Sequence, residues 1–319
     1  MQQRRLGRTG LRVSRLGLGT LTWGRDTDEH EAREQLVAFT EAGGTLVDTA
    51  AGYGDGASEA LIGSLLGDVV RREDLVIATK AGIGRFRGSR ETNTSRGYLL
   101  GTLDASLRRL GVDHVDLWQV HTWADDTPLE ETLGALDHAV TTGRASYVGV
   151  SNYTGWQSAQ AATWQHAVPG RAPLASNQVE YSLVNRRVEA EGVPAAAALG
   201  MGLLAWSPLG RGVLTGKYRH STPADSRAAS SHFSAFVGAY LDERTSRIVE
   251  AVCRAAEGLD WSPLEVALTW VRDRPGVTAP VVGARTAAQL RAALTVEECE
   301  LPAQIVAALD DVSGDRGPS

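Results

Sequence analysis

The feature that most restricts the possible folds is a regular alternation of short apolar segments with longer helical patterns. The apolar segments lie at 45–50, 75–80, 114–121, 146–151, 175–180, 202–207 and 278–284. Helix-start signals, in which a hydroxyl side chain stands three residues before Glu or Gln, occur between them at 127–130, 154–157, 262–265 and 286–289. This alternation predicts a parallel sheet with helices packed outside it.

Two architectures fit such a pattern: an open, doubly wound sheet and a closed eight-stranded barrel. The open, dinucleotide-binding sheet has G-x-G-x-x-G after its first strand. Residues 17–24, GLGTLTWG, begin with G-x-G but continue differently, and no strand–helix–strand unit precedes them. We therefore predict a (β/α)8 TIM barrel, as one domain over residues 1–319.

Three segments fall outside the repeating pattern. Residues 4–19 predict two short strands around a turn at Gly7–Gly10, a hairpin that would close the bottom of the barrel. Residues 219–240 are rich in Ser and Ala and long for a connection, so we predict a flexible loop on the cofactor side. Residues 314–319 form a polar tail.

Charge and composition exclude several classes of function. The net charge is −6, which argues against a nucleic-acid surface, because phosphate binding needs a basic excess. The two cysteines have no metal-ligand spacing, and we predict no metal site. We find neither a secretory signal nor an apolar run long enough to cross a membrane, so we expect a cytoplasmic protein without a membrane partner.

Polar or aromatic side chains stand at the end of one predicted strand after another. They are Asp48, Lys80, His121, Ser151, Asn152, Gln178 and Trp206. Each has an ordinary explanation when taken alone, as a helix cap, a solvent-exposed lysine or a structural histidine. In a barrel, however, side chains at the carboxyl ends of the strands meet at one mouth, where active sites are built.

Tyr53 follows Asp48 in a glycine-rich loop and completes a possible proton-transfer set. A free tyrosine titrates near pH 10, too high for ready proton exchange at neutral pH. A neighbouring ammonium such as that of Lys80 stabilises the phenolate, and a carboxylate such as Asp48 keeps a buried lysine charged. His121 is placed to orient a carbonyl oxygen. The set predicts a general acid for a carbonyl, which still needs a source of electrons.

The chain resembles the aldo-keto reductase superfamily over essentially its whole length. The motifs are most similar to those of the branch that contains the potassium-channel β subunits. The matching segments are GLGT (17–20), DTAAGYGDGASEALIG (48–63), ATK (78–80), DLWQVH (116–121), VGVSN (148–152), NQVEYSLVNR (177–186), WSPLGRGVLTGKY (206–218) and VGARTAAQL (282–290). The resemblance implies a (β/α)8 barrel that binds NADP(H) in an extended pose across its mouth.

The resemblance also implies a role for each matching residue. Tyr53 is the general acid for reduction, Lys80 and Asp48 lower its pKa, His121 orients the carbonyl, and the hydride comes from nicotinamide C4. The implied cofactor-binding residues are Gly19, Thr20, Leu21, Asp48, Ser151, Asn152, Gln178, Trp206, Ser207, Pro208, Leu209, Gly210, Gly212, Lys217, Arg227, Gly283, Arg285 and Gln289. Among these, Trp206 stacks on the nicotinamide, and Arg285 with the start of the next helix receives the 2′-phosphate.

Two parts of the chain depart from the family pattern or give little information. Ala292 and Ala293 stand where the family usually has Glu-Asn in contact with adenine, which leaves the choice between NADP and NAD open. Trp23 and Trp123 are candidates for the wall of the substrate pocket, with ordinary packing at the barrel rim as the equal alternative. No basic cluster marks a pocket for a charged substrate, so we expect a neutral carbonyl.

Three functions are consistent with these residues. The first is an NADPH-dependent carbonyl reductase. The second is a redox-sensing, NADP(H)-binding regulatory module with slow turnover, similar to a channel β subunit. The third is a dedicated biosynthetic reduction, for instance of a keto-sugar. The sequence leaves the substrate, the direction of the reaction and the oligomeric state open.

Overall fold

A computed structural model describes residues 1–86, 89–219, 229 and 234–314. Eight parallel strands close into a barrel, so the predicted (β/α)8 fold is confirmed. The barrel strands are β3 (Gly17–Gly19), β4 (Leu46–Asp48), β5 (Val76–Ala81), β8 (Val115–Val120), β9 (Ala145–Ser151), β10 (Leu174–Glu180), β11 (Gly202–Trp206) and β12 (Val277–Gly283). Their order around the barrel is β10-β11-β12-β3-β4-β5-β8-β9.

Helices surround the barrel and bury their apolar sides against it. They are α1 (Glu29–Glu41), α2 (Ala57–Leu65), α3 (Arg96–Leu110), α4 (Leu129–Thr141), α5 (Gly155–Ala167), α6 (Gly192–Leu199), α7 (Ser234–Gly238), α8 (Glu243–Leu259), α9 (Pro263–Arg272), α10 (Ala287–Leu294) and α11 (Ala303–Ser313). In the described part of the chain, none of these helices is long and apolar enough to cross a membrane.

Two of the four predicted capping boxes form in full, at Thr154 with Gln157 and at Ser262 with Glu265. Thr286 caps α10 through the amide of Gln289, whose own side chain accepts from the Arg285 amide. The prediction at 127–130 was wrong: Pro128 occupies the cap position of α4, and no side chain caps this helix. The side chain of proline has no oxygen that could accept from the first amides of the helix.

The prediction for the N-terminal hairpin was partly wrong. The hairpin consists of β1 (Gln3–Arg5) and β2 (Arg12–Ser14), but residues 17–19 form the barrel strand β3, between β12 and β4. Three residues, two of them glycine, are too few to show a strand pattern in the sequence. The close approach of β12 to β3 explains the glycine at position 19, because a Cβ there would lie 2.8 Å from Cγ1 of Val281.

The hairpin closes the bottom of the barrel, as expected. Leu6 and Val13 are fully buried and pack against the first inward-facing side chains of the strands, among them Leu46 and Leu204. The amide of Arg8 donates to the carbonyl of Gly200, 2.8 Å away and two residues before the start of β11. A second hairpin, β6 (Ile83–Phe86) with β7 (Ser89–Thr92), follows β5 and was not predicted from the sequence.

Gly7 gives a direct test of this bottom closure. Its φ is +57°, and an added Cβ would lie 2.4 Å from the carbonyl oxygen of Gly200 and 2.7 Å from the amide nitrogen of Gly202. Because both obstacles are backbone, we expect Gly7→Ala to lower the free energy of unfolding by about 2–3 kcal/mol. Denaturant titration measures the change. The control is Gly97→Ala, where a Cβ meets nothing within 4 Å; an equal loss in both variants would contradict the prediction.

The predicted loop 219–240 and the polar tail are only partly described. Residues 234–238 form α7, so the end of the segment is helical rather than a loop. Arg227 and most of the segment before α7, like residues 315–319 of the tail, lie outside the described residues.

Candidate active site

The carboxyl ends of the strands surround a cavity of about 840 Å³. Most of the predicted site residues line it: Gly19, Thr20, Leu21, Asp48, Tyr53, His121, Ser151, Asn152, Gln178, Trp206, Ser207, Pro208, Leu209, Gly212, Lys217, Gly283, Arg285 and Gln289. Two predicted residues lie just behind this surface. Lys80 is buried beneath it, and Gly210 is a buried turn residue of the loop that follows β11.

Lys80 and Asp48 form a buried ion pair at the floor of the cavity. They lie on the neighbouring strands β5 and β4, and their side chains are 1% and 3% exposed. The lysine Nζ lies 2.8 Å and 2.7 Å from the two carboxylate oxygens, and it also donates to the carbonyl of Thr49 at 2.9 Å. Gln178 donates to the same carboxylate, 2.7 Å from Oδ1. Every described contact of the lysine therefore favours its charged form.

The pKa of Lys80 results from two opposing effects. Burial disfavours the ammonium ion and by itself lowers the pKa. The charge of Asp48 and the hydroxyl of Tyr53 act in the other direction and prevail, so the pKa is raised above its usual value. The lysine thus remains charged at neutral pH, which is the state that stabilises a phenolate beside it.

Tyr53 stands in a short 3-10 turn, Tyr53–Gly56, between β4 and α2. Its ring centroid lies 5.2 Å from Nζ of Lys80 and 6.0 Å from the ring of His121, which meets it edge-on. The turn requires left-handed backbone at Gly54, Asp55 and Gly56, with φ of 58°, 54° and 97°. Glycine supplies two of these positions without strain, and this sharp turn directs the phenol back over the barrel.

Buried side chains of α2 hold this turn in place. The Ser58 hydroxyl donates to Thr20, which follows β3, and is 3.0 Å from the hydroxyl of Thr49. Glu59 is fully buried, accepts from Thr79 at 2.6 Å and pairs with Arg109 of α3. The segment after Tyr53 is therefore joined to three strands and to one neighbouring helix.

Asn152, which directly follows β9, connects the ends of β8 and β11. Its Nδ2 donates to the carbonyl of His121 at 3.0 Å, and its Oδ1 accepts from Nε1 of Trp206 at 2.9 Å. Asn152 has a φ of 59°, an uncommon conformation that asparagine tolerates better than most residues. The hydroxyl of Ser151 donates to the carbonyl of Gln178 at 2.8 Å. These bonds fix the indole of Trp206 and the backbone of His121 relative to each other.

Arg211 is a cavity residue that the sequence analysis did not single out. It pairs with Glu180 through two bonds of 2.9 Å and donates to the carbonyl of Phe236 at 2.6 Å. Its guanidinium lies 3.8 Å from the centroid of the Phe236 ring, which stacks on Trp206. Arg211 thereby joins the loop after β11 to α7. Residue spacing in the sequence could not have indicated the contact between Arg211 and Phe236, because the two residues are 25 positions apart.

The far end of the cavity is formed by the end of β12 and the start of α10. Gly283, Arg285, Gln289, Ala292 and Ala293 all line it. The last two positions offer only methyl groups to the cavity.

The two tryptophans proposed for the substrate wall lie outside the lining of this cavity. Trp23 is fully buried, and its Nε1 donates to Gln35 of α1 at 3.1 Å. Trp123 packs edge-on against Tyr153 and Trp156, and its Nε1 donates to Asp125. Neither ring is among the residues that line the cavity. Trp123 therefore has packing contacts like those of the alternative at the barrel rim, and Trp23 belongs to the buried core.

Comparison with known proteins gives the chain its class and family. The profile of the Aldo/keto reductase family matches residues 15–313. Together with the closed barrel and the cavity at its strand ends, this match makes the chain an oxidoreductase that uses a nicotinamide cofactor. The chain belongs to the aldo/keto reductase family, and the resemblance noted in the sequence is confirmed.

Several curated proteins are similar over almost the whole length. An uncharacterized oxidoreductase, YrpG, from Bacillus subtilis (strain 168) is 37% identical over 98% of this chain and 96% of its own. A probable voltage-gated potassium channel subunit beta from Oryza sativa subsp. japonica is 37% identical over 89% of this chain and 87% of its own. The L-glyceraldehyde 3-phosphate reductase of Escherichia coli (strain K12) is 34% identical over 91% of this chain and 86% of its own.

Proposed function

We propose that the chain reduces an aldehyde or ketone to the corresponding alcohol, with NADP(H) as the cofactor and Tyr53 as the general acid. The observation that carries this proposal is the buried Lys80–Asp48 pair beside Tyr53 at the cavity floor. Such a pair is costly to bury. Its lysine, next to a phenol, supplies the fixed positive charge that acid catalysis by tyrosine needs.

The residues of the cavity fit a nicotinamide dinucleotide. The cavity extends from Tyr53 and His121, past Trp206 and Lys217, to Arg285 at the start of α10. An aromatic ring near the acid, followed by cationic side chains, matches a flat ring joined to phosphates. When bound, a reduced nicotinamide would supply the hydride that the carbonyl carbon needs, and would itself be oxidised.

The residues of this chain provide the proton and the orientation. His121 donates to the carbonyl oxygen and holds it near Tyr53. The Tyr53 hydroxyl gives its proton to that oxygen as negative charge develops there, and Lys80 stabilises the phenolate that remains. Asp48 keeps Lys80 charged. One hydride on carbon and one proton on oxygen complete the alcohol, and Tyr53 regains its proton from solvent.

A panel of carbonyl substrates with NADPH and NADH in parallel tests this function. Neutral aliphatic and aromatic aldehydes and ketones form the main set, because no basic cluster suggests a charged substrate. L-Glyceraldehyde 3-phosphate is added because similar proteins carry that activity in their names. We expect carbonyl-dependent loss of the reduced-nicotinamide absorbance. A chain that binds the cofactor but oxidises it with no member of the panel would contradict the proposal.

A regulatory, NADP(H)-sensing module is the second candidate, favoured by the similarity to probable potassium channel β subunits. Single-turnover mixing of bound NADPH with an active carbonyl separates the two functions. Rapid oxidation supports the reductase, whereas reduced cofactor that persists for minutes supports the module.

A further inference from the structure

A carboxylate from α1 lies at the N-terminus of α10. Oε2 of Glu31 accepts a hydrogen bond from the backbone amide of Ala287, the first residue of that helix, at 2.6 Å. The loop before α1 is held at the same place. The hydroxyl of Thr22 donates to the carbonyl of Ala284, and that of Thr27 donates to the carbonyl of Arg285.

The position of Glu31 is fixed from its own helix as well. Asp28 caps α1 by accepting from the Glu31 amide at 2.9 Å. The spacing of Asp28 and Glu31 is that of a capping box, and the sequence alone would suggest that the Glu31 side chain returns to its own helix start. In the structure the side chain extends instead to the amide of Ala287, which is two residues along the chain from both Arg285 and Gln289 of the cavity lining.

The start of α10 is where the resemblance places the 2′-phosphate of NADP(H). Amides at a helix N-terminus and the helix dipole attract anions, and a carboxylate bound there uses the same attraction. Two amides of this first turn are engaged, since that of Ala287 donates to Glu31 and that of Gln289 to Thr286. A phosphate entering beside Arg285 thus meets a neighbouring negative charge.

We propose that Glu31 is a cofactor-specificity residue whose carboxylate weakens recognition of the 2′-phosphate and so lets the chain use NAD(H) as well as NADP(H). The proposal rests on the proposed function, because it assumes the adenosine end of the cofactor at Arg285 and Gln289. Arg285 attracts the phosphate and Glu31 opposes it. Ala292 and Ala293 add no polar contact that would change this balance.

The test compares two ligands that differ only in the 2′-phosphate, adenosine 2′,5′-bisphosphate and adenosine 5′-monophosphate, by titration calorimetry. Glu31→Gln removes the charge but keeps an oxygen that can accept from Ala287, so the fold should survive. We expect the dissociation constant for the bisphosphate to fall on the order of tenfold, with that for the monophosphate unchanged. The ratio of kcat/KM for NADPH to that for NADH should rise by a similar factor.

The matched control is Glu34→Gln. Glu34 lies one turn further along α1 and pairs across to α10 through Arg291 at 3.2 Å, with both side chains partly exposed. This variant removes the same charge from the same helix pair but leaves the helix start untouched, and neither dissociation constant should move. Glu31→Ala is the second variant and should show the same selective gain for the bisphosphate.

Three outcomes would overturn the proposal, and they separate it from the proposed function. If both ligands bind but the Glu31 variants change neither, or change both equally, the specificity role is wrong while the cofactor site stands. If Glu34→Gln gives the same gain in affinity for the bisphosphate, the loss of any negative charge from α1 explains the change, and the position of Glu31 does not. If neither ligand binds the unsubstituted chain, the cofactor placement under the proposed function fails, and this proposal fails with it.

Discussion

Replacing Tyr53 with phenylalanine is expected to remove carbonyl reduction while leaving NADPH binding nearly unchanged. The phenylalanine ring fills the same space between Lys80 and His121, so the cavity keeps its shape. The hydroxyl alone is lost, and with it the proton donor that lies beside Lys80. We expect the single-turnover rate to fall by about 10²–10⁴-fold, the usual contribution of a positioned general acid.

Tyr153→Phe is the matched control for this substitution. Tyr153 follows Asn152, but its ring packs against Trp123, it does not line the cavity, and burial raises the pKa of its phenol. Its hydroxyl is therefore unsuited to proton exchange, and turnover should stay within about twofold of the unsubstituted chain. A Tyr53→Phe chain that retained most of its rate, or an equal loss in both variants, would show that the acid has been wrongly assigned.

Lys80→Met is expected to cause the largest loss of stability, together with loss of turnover. It leaves the Asp48 carboxylate buried with Gln178 as a remaining donor. Breaking a buried ion pair by removing one partner costs about 3–5 kcal/mol, because the remaining charge is not compensated. Denaturant titration measures the change, and turnover is followed with the best substrate of the panel.

The double variant Asp48→Asn with Lys80→Met separates the two consequences. With no charge left to compensate, we expect most of the stability to return while turnover stays absent. The control is Arg71→Met, which removes an exposed pair with Asp74 and should leave both properties nearly unchanged. If the double variant were as unstable as Lys80→Met, the buried charge would not be the cause.

The sign of the pH dependence follows from the same pair. The pKa of Lys80 is raised in the folded chain, so the stability that comes from protonation of this lysine is fully present below the ordinary lysine pKa. The contribution is lost only as the pH rises through the raised value. Stability from this pair is therefore constant through the neutral range.

The sequence predicted the barrel because its helices and most of its strands have local signals. Asp48, Lys80 and His121 could be placed at one mouth because parallel strands in a barrel end on the same face. The strand at 17–19 could not be found in this way, since its place depends on long-range pairing with β12 and β4. The sequence left two alternatives open for Trp23 for a related reason, because the direction of a loop side chain depends on what packs beside it.

The contacts of Arg211 and Glu31 mark the limit of the sequence argument. Arg211 joins two segments 25 residues apart, and Glu31 bonds to an amide 256 residues away along the chain. Neither contact follows from residue spacing. Arg211 lines the cavity, and under the proposal above Glu31 affects which cofactor is chosen, whereas the strand-end residues could be grouped from the sequence.

Transfer of deuterium from NADPH labelled at C4 tests the central claim most directly. After a single turnover with an active carbonyl, mass spectrometry of the product should find an alcohol with one deuterium on the carbinol carbon. The oxidised cofactor should appear in equal amount. Labelled cofactor that stays reduced beside every carbonyl of the panel, or that is oxidised without a deuterated alcohol, would contradict the assignment of this chain as a carbonyl reductase.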